Sequence, residues 1–160
     1  LIIISGERHD DSFDLITRTL SKMGEIDTVE IAIESSGRHN YGTIGPDKTP
    51  VVTLPGDPIA AYISFELLVR PMIRTMLGTA TIHRPSVKAK LEKPLKSSGG
   101  YRSYVRAVLS EDGKTVAPLA SQDEQASLSD GNSFIAVPEG ETSLSAGAVV
   151  TVVVLERRYI

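Results

Sequence analysis

The chain has 160 residues, a formal net charge of -3 and no cysteine. The lack of cysteine excludes disulfide frameworks and thiolate metal sites, and so small a charge gives no reason to expect a nucleic-acid partner. Since no apolar run reaches the roughly 18 residues of a membrane span, we expect a cytoplasmic protein with no membrane partner.

The first half of the sequence alternates strand and helix signals. In chain order these predict a strand at residues 1–5, a helix at 12–23 with Gly24 as its stop, strands at 28–34 and 51–54, and an apolar helix from Ile59 that Pro71 kinks and Gly78 ends. Three consecutive isoleucines are typical of a buried strand with neighbours on both sides, and no leader precedes them. We therefore expect the chain to start inside a domain, as the C-terminal part of a longer protein. Strands that alternate with helices favour a mostly parallel sheet.

After Gly78 the helix signals stop and short strand signals follow. These predict strands at residues 87–93, 101–111, 114–119, 133–138 and 148–156. Turns rich in Gly, Pro, Asp and Ser separate them, and Asp112–Gly113 is a hairpin signature. We therefore expect a first domain at residues 1–80, a linker at 81–86 and a small all-β sandwich or barrel at 87–160.

The stretch LPGDPIAAY joins the third predicted strand to the apolar helix. Asp57 stands where a helix N-cap belongs, and Pro58 stands at the first helical position. A helix that begins directly after the carboxyl end of a strand forms an anion site, because unpaired amide groups converge there. In the other interpretation, which ordinary capping favours, the Asp57 side chain already satisfies those donors.

The loop after the first strand, SGERHDDSFD, also runs from a strand into a helix. The hydroxyl of Ser5 and the backbone of Gly6 are candidate donors to a phosphate or an oxyanion. The candidate ligands for a hard divalent cation such as Mg²⁺ are Asp10, Asp11 and Asp14, with His9. Capping and the helix dipole also favour acidic residues at a helix start, so a loop without a metal is the open alternative.

A third loop, ESSGRHNYG, follows the second predicted strand and carries Ser36, Gly37 and Arg38. Arg38 is the obvious cation in the loops of this half, and a guanidinium forks onto the oxygens of a phosphate or oxoanion. The alternative is a surface hairpin with an exposed arginine.

The second half holds one candidate binding face. Arg102, Tyr104 and Arg106 alternate along a predicted strand and therefore share a face. A basic, aromatic face of this kind stacks the bases of single-stranded nucleic acids. Two arginines are too few to indicate nucleic-acid binding, and we expect an exposed sheet face with cation–π pairs instead.

Five motifs occur in an order typical of one family. SGERHDDSFD stands where the family has S-G-G-x-S-x-G-x-x-D, and LPGDP matches an L-P-G-N-P turn that FELLVRP and a closing Leu77–Gly78 follow. GGYRSYVRA and PEGETSLSAG are similar to a G-R-x-x-F/Y-x-R strand and a P-E-G-x-x-x-L-x-A-G segment. Over essentially its whole length the chain resembles the C-terminal part of the molybdopterin molybdotransferase family, which includes MoeA-type enzymes and the gephyrin E domain.

The resemblance implies a fold, a reaction and partners. The implied fold is a partial α/β three-layer molybdopterin-binding domain with a mostly parallel sheet, followed by a small all-β barrel domain. The implied function is molybdenum cofactor biosynthesis, in which molybdate is inserted into adenylylated molybdopterin with release of AMP and with Mg²⁺ as cofactor. A homodimer and contacts with other cofactor-biosynthesis proteins are implied as well.

Carried onto this sequence, the resemblance also assigns roles to residues of the three loops. It assigns Asp14 and Asp57 to catalysis, and Asp14 with Asp11 to the metal. The residues that it assigns to ligand binding are Ser5, Gly6, Ser36, Gly37, Arg38, Pro55, Gly56 and Pro58. Arg38 is the candidate clamp for an oxoanion.

The loops depart from the family pattern at several positions. These are Glu7, His9 and Asp11 in the first motif, the segment 35–38 in place of P-G-K-P, and Asp57 in place of Asn. The changes make the loops more acidic, which opposes the binding of a dianion. The alternative function is therefore a non-catalytic, divergent paralogue that acts as a molybdopterin-binding or scaffold module.

Overall fold

The structure is a computed structural model that describes residues 1–7, 10–34, 36–120 and 130–155, apart from the side chains of residues 7 and 10. The chain divides into two compact units. The first unit comprises residues 1–31 and 35–82, and the second comprises residues 32–34 and 83–160. Among the described residues, no helix combines the length and the apolarity that crossing a bilayer requires.

The described part of the first unit is a four-stranded sheet with helices. Its elements are β1 (Ile2–Glu7), α1 (Asp10–Ser21), β2 (Gly24–Glu30), β3 (Arg38–Ile44), β4 (Thr49–Pro55), α2 (Pro58–Ser64), a π-helical segment (Phe65–Val69) and α3 (Arg70–Met76). The strand order is β1-β4-β3-β2. β1 and β4 are parallel, whereas the β4–β3 and β3–β2 pairs are antiparallel.

The prediction of a mostly parallel sheet is wrong for the strand pairs that the described residues form. The strand predicted at residues 28–34 corresponds to β2, which lies earlier in the chain. β2 begins at Gly24, the residue predicted to end the helix. β3 falls where the sequence predicts a loop, and it pairs directly with β2. Its residues His39 and Asn40 are buried polar side chains, which interrupt the apolar alternation by which strands are identified.

Each face of the sheet carries a helical element. Consecutive residues of a strand point to opposite faces, so Val51 packs against α1 and Val52 against the segment from α2 to α3. Helical elements thus lie on both faces of this sheet, but the predicted α/β three-layer domain is not contained in the described residues. β1 lies at the sheet edge with Ile2 40% and Ile3 39% exposed, so within the described residues it lacks the second neighbour that we expected.

The helical segment changes its winding just before Pro71. In the π-helical segment Phe65–Val69 the turn is widened, and the Arg70 amide donates to the carbonyl oxygen five residues earlier. Pro71 has no amide hydrogen to donate, so the disturbance that the sequence predicts there takes the form of a π-helical turn. Gly78 ends the helix with φ +67°, a conformation that glycine adopts at low cost.

The second unit contains the predicted barrel. Its described strands are β5 (Ser86–Leu91), β6 (Leu95–Lys96), β7 (Ser103–Leu109), β8 (Thr115–Pro118), β9 (Ser133–Val137), β10 (Ser143–Leu144) and β11 (Val149–Val154). Five of these close in the order β11-β5-β8-β7-β9, and β6 pairs with β10. The barrel prediction is confirmed, and each barrel strand overlaps one predicted run because alternate side chains fill the core.

One face of β7 differs from the prediction. Arg106 was expected beside Arg102 on an exposed face, but its side chain is 1% exposed, whereas Arg102 is exposed. The interpretation of an exposed basic face is therefore wrong at Arg106.

Candidate functional site

The three predicted loops lie at the same end of the strands in the first unit's sheet. β1 and β4 run in parallel and end there, with Glu7 opposite Pro55. β3 runs antiparallel to β4 and therefore begins there, at Arg38. We call this side of the sheet, where the parallel strands β1 and β4 end, the carboxyl edge, and we define it by Gly6, Arg38 and Gly56.

A β-bulge shapes the carboxyl edge at Ser5 and Gly6. Ile4 pairs with Thr53 and Glu7 pairs with Pro55, so β1 has one more residue than β4 over this step. Gly6 has φ +114°, a conformation that disfavours residues with a side chain although no atom lies within 4 Å of an added Cβ. Ser5 and Gly6 are both exposed, and a bulge at a strand end redirects the chain there.

Two contacts of Arg38 with α1 lie within the described residues. Its Nη1 lies 3.6 Å from Oδ1 of Asp14, and its Cζ lies 4.3 Å from the centre of the Phe13 ring. The side chains of Arg38 and Asp14 are 39% and 53% exposed. The structure thus places Arg38, the predicted oxoanion clamp, beside Asp14, a predicted metal ligand. The ring of Phe13, which we did not assign to the site, supports the guanidinium.

The described residues do not complete a metal site. Asp11 and Asp14 are exposed on α1, and Asp14 already faces a guanidinium. No cluster of three or more His, Asp or Glu side chains that could hold a metal occurs in the described part of the chain. Mg²⁺ is commonly held by one or two carboxylates together with waters and ligand phosphates, so the metal roles of Asp11 and Asp14 stay predictions. His9, named above as a candidate ligand, lies outside the described residues.

The turn from Pro55 to Pro58 is a capped helix start. The Asp57 side chain accepts a hydrogen bond of 2.7 Å from the Ala60 amide, and Pro58 is the first residue of α2. The capping interpretation of Asp57 is confirmed. The roles of Pro55, Gly56 and Pro58 in ligand binding stay predictions.

A buried hydrogen-bond chain behind the carboxyl edge was not predicted. His39 Nδ1 lies 2.8 Å from the Thr53 carbonyl oxygen, and its Nε2 lies 2.8 Å from Ser36 Oγ, which in turn lies 3.0 Å from Ser64 Oγ. Ser36, His39 and Ser64 are at most 3% exposed. Burial lowers the pKa of His39, which favours the neutral ring. The Ser36 hydroxyl is therefore bonded inside the protein, and its role in ligand binding stays a prediction.

A second buried cluster centres on Asn40. The side-chain Nδ2 of Asn40 donates to Thr17 Oγ1 at 2.8 Å, and Thr28 Oγ1 donates to the side-chain Oδ1 at 2.7 Å. The backbone N–H of Asn40 donates to Thr53 Oγ1 at 2.8 Å. The cluster joins α1, β2, β3 and β4. Two adjacent polar residues, His39 and Asn40, inside a strand are the one sequence signal that could have marked both clusters.

Comparisons with known proteins point to one family. The family model described as MoeA C-terminal region (domain IV) matches residues 88–155, which lie in the second unit. Molybdopterin molybdenumtransferase 1 of Mycobacterium tuberculosis is 30% identical over 164 residues, which cover 97% of this chain and 38% of that protein. Molybdopterin molybdenumtransferase of Bacillus subtilis is 34% identical over 106 residues, which cover 64% of this chain and 25% of that protein.

Solved structures agree with this similarity. The crystal structure of a molybdopterin biosynthesis MoeA protein from Pyrococcus horikoshii matches with a TM-score of 0.78 and 27% identity, over 98% of this chain and 37% of that one. A molybdenum cofactor biosynthesis protein from Pyrococcus furiosus matches with a TM-score of 0.69 over 95% of this chain and 66% of that one; at 20% identity this shows the fold alone. The chain spans 38% of the length of the Mycobacterium tuberculosis relative.

Proposed function

We infer, from the premise that this chain belongs to the molybdopterin molybdotransferase (MoeA) family, that it serves in molybdenum cofactor biosynthesis. We propose that the protein carrying it inserts molybdate into adenylylated molybdopterin and releases AMP. The carboxyl edge is the proposed binding edge. The observation that carries this proposal is the position of Arg38, a partly exposed guanidinium at the edge that Gly6 and Gly56 also form.

Arg38 suits the charge that the reaction develops. When the phosphoanhydride bond of the adenylylated pterin breaks, negative charge builds up on the departing AMP, and a guanidinium beside its oxygens stabilises that charge. An exposed ion pair such as the one between Arg38 and Asp14 contributes only about 0–1 kcal/mol, so exchanging Asp14 for a ligand phosphate loses little from that pair. The backbone of Gly6 and the hydroxyl of Ser5 are further exposed donors at the same edge.

Mg²⁺ enters the proposal as a ligand to be tested. Asp11 and Asp14 stay predicted metal ligands, but the described side chains do not complete a site, so no step is assigned to the metal. We expect Asp14→Asn to weaken any Mg²⁺-dependent gain in ligand affinity and Asp11→Asn to weaken it less, because Asp14 lies at Arg38. Titration of Mg²⁺ with and without the adenylylated pterin measures this.

The experiment that tests the proposal is binding and turnover of adenylylated molybdopterin by the whole protein that contains this chain. Arg38→Gln should weaken binding about 10- to 100-fold, the range for lost hydrogen bonds to a charged group. Arg18→Gln is the matched control, because Arg18 is an exposed arginine in the last turn of α1. Equal effects of the two substitutions would remove Arg38 from the binding edge.

The altered loops favour a second candidate function. Glu7, Asp11 and Asp57 put carboxylates where the family pattern has uncharged residues, which supports a non-catalytic module that binds molybdopterin or a protein partner. Ligand binding without AMP release would support this candidate over the enzyme. Restoring Gly, Ser and Gly at residues 7, 9 and 11 should then create AMP release that the natural sequence lacks.

Other parts of the proposal concern Asp57 and the assembly. The predicted catalytic role of Asp57 is separable from its cap, because Asp57→Asn keeps an acceptor for the helix amide and removes the charge. We also propose a homodimer, contacts with other cofactor-biosynthesis proteins and a cytoplasmic location. Light scattering of the whole protein with and without ligand tests the dimer.

A further inference from the structure

Two buried side chains flank Arg38 and bond to each other across it. Ser36 and His39 are 3% and 2% exposed, and Ser36 Oγ lies 2.8 Å from His39 Nε2. Between them stand Gly37, with φ +61°, and Arg38, which is partly exposed. The turn that carries Arg38 is therefore closed by a side-chain bridge from its first to its fourth residue.

The hydrogen-bond chain has one consistent direction. The Thr53 carbonyl oxygen is an acceptor only, so His39 Nδ1 carries the hydrogen that it donates there. In the neutral ring Nε2 is then an acceptor, and Ser36 donates its hydroxyl hydrogen to it. The Ser36 oxygen is left to accept from Ser64. Each group in the chain is thus satisfied without a charge.

The hydrogen-bond chain attaches the Arg38 turn to β4 and α2. His39 anchors it to β4 through Thr53, and Ser64 anchors it to the last residue of α2. The backbone closes on the other side, where the Ile31 amide donates to the Gly37 carbonyl oxygen at 3.1 Å. Arg38 leaves this turn toward Asp14 on α1.

We propose that His39 is a positioning residue: through Ser36 and Ser64 it holds the Arg38 turn so that the guanidinium stays at the carboxyl edge. The proposal rests on the proposed function, because it concerns the residue assigned to the ligand phosphate. It goes beyond that function in naming a group that never touches the ligand. The hydrogen bond between His39 and Ser36, rather than the volume of the imidazole ring, holds the Arg38 turn in place.

Three substitutions separate the hydrogen bond to Ser36 from the volume of the ring. In His39→Gln the side-chain amide reaches the place of Nε2 and keeps an acceptor for Ser36, whereas in His39→Asn it reaches the place of Nδ1 and keeps a donor for Thr53. Because Asn is also smaller than Gln, Ser36→Ala is the third variant: it removes the bond and leaves the ring in place. If His39 merely fills space, Ser36→Ala behaves like the natural protein. If it positions Arg38, His39→Gln resembles the natural protein, and His39→Asn and Ser36→Ala do not.

The readouts are taken on the whole protein. Hydrogen exchange at the Ile31 amide reports closure of the Arg38 turn, and we expect His39→Asn to speed it roughly fivefold to tenfold, as for one lost hydrogen bond. We expect His39→Gln to change it less than about twofold. Affinity for adenylylated molybdopterin should fall about tenfold in His39→Asn and recover in His39→Gln. Thr75→Val is the control, since it removes a hydrogen bond of the same unit within α3, away from the turn.

The outcomes separate this proposal from the proposed function. If the pterin does not bind to the natural protein, the proposed function fails, and the Ile31 exchange still decides whether His39 holds the turn. Equal Ile31 exchange in His39→Asn, His39→Gln and Thr75→Val overturns the proposal. If His39→Asn does not fold, Ser64→Ala removes the outer bond of the chain and should give a smaller acceleration in the same direction, and no acceleration overturns the proposal.

Discussion

The buried side-chain amide of Asn40 ties α1 and β2 to β3 in the first unit, so its removal should be costly. We predict that Asn40→Ala destabilises this unit by about 3 kcal/mol. Two hydrogen bonds, to Thr17 and from Thr28, are lost at about 1 kcal/mol each. Since Asn40 is 0% exposed, the small cavity left by the amide adds about another 1 kcal/mol. The Thr17 hydroxyl keeps its bond to the Phe13 carbonyl oxygen, which limits the penalty.

Native-state hydrogen exchange measures this cost unit by unit. Amides of β3 and β4 should lose protection, whereas amides of β9 in the second unit serve as the internal reference. Thr28→Val should cost about 1 kcal/mol, and adding it to Asn40→Ala should cost almost nothing more, because the same bond is already gone. A loss below about 1 kcal/mol in Asn40→Ala, or full additivity of the two substitutions, would refute the reasoning.

Further predictions concern pH, strand pairing and capping. Burial holds the pKa of His39 below its usual 6.5, so the unfolded state binds the proton more tightly, and stability present above pH 6.5 is lost as the pH falls through the lowered pKa. The urea midpoint should therefore drop more between pH of about 7.5 and about 5 in the natural protein than in His39→Gln, and equal drops would contradict this. Gly42→Ala places Cβ 2.0 Å from a backbone oxygen of β2 and should cost more than about 3 kcal/mol. Gly45→Ala, with φ +72° and open space around it, should cost about 1 kcal/mol; thermal unfolding compares the two, and similar losses would argue against the steric account. Asp57→Ala should lose about 1 kcal/mol of helix stability and Asp57→Asn much less, as read from exchange of the first α2 amides. Equal losses would show that the hydrogen-bond acceptor is not what stabilises the helix start.

Local patterns predicted the barrel better than the sheet. In β5 the exposed Lys88 and Lys90 alternate with the apolar residues Val87, Ala89 and Leu91, so the period of two was visible in the sequence. β3 hides its period behind His39 and Asn40, whose burial depends on hydrogen bonds from other elements. The mostly parallel sheet followed from missing this strand.

In the candidate site, too, features with a local sequence signature were predicted and features that depend on distant segments were not. Ser5, Gly6 and the turn at Pro55 were identifiable because strand ends and turns have local signatures. The contact of Arg38 with Asp14 and Phe13 was not, and neither was the burial of Ser36. Those features depend on which strands become neighbours.

The sequence by itself determined the barrel strands, the capped start of α2 and the family, because each is encoded within a few adjacent residues or in motif order. Only the tertiary structure decided that β4 lies between β1 and β3, and that Ser36 and Ser64 share a hydrogen bond across 28 positions of the chain. The physical reason is that backbone preference and hydrophobic period act over a single turn or strand. Partners for buried polar groups are chosen by contacts between segments far apart in the chain.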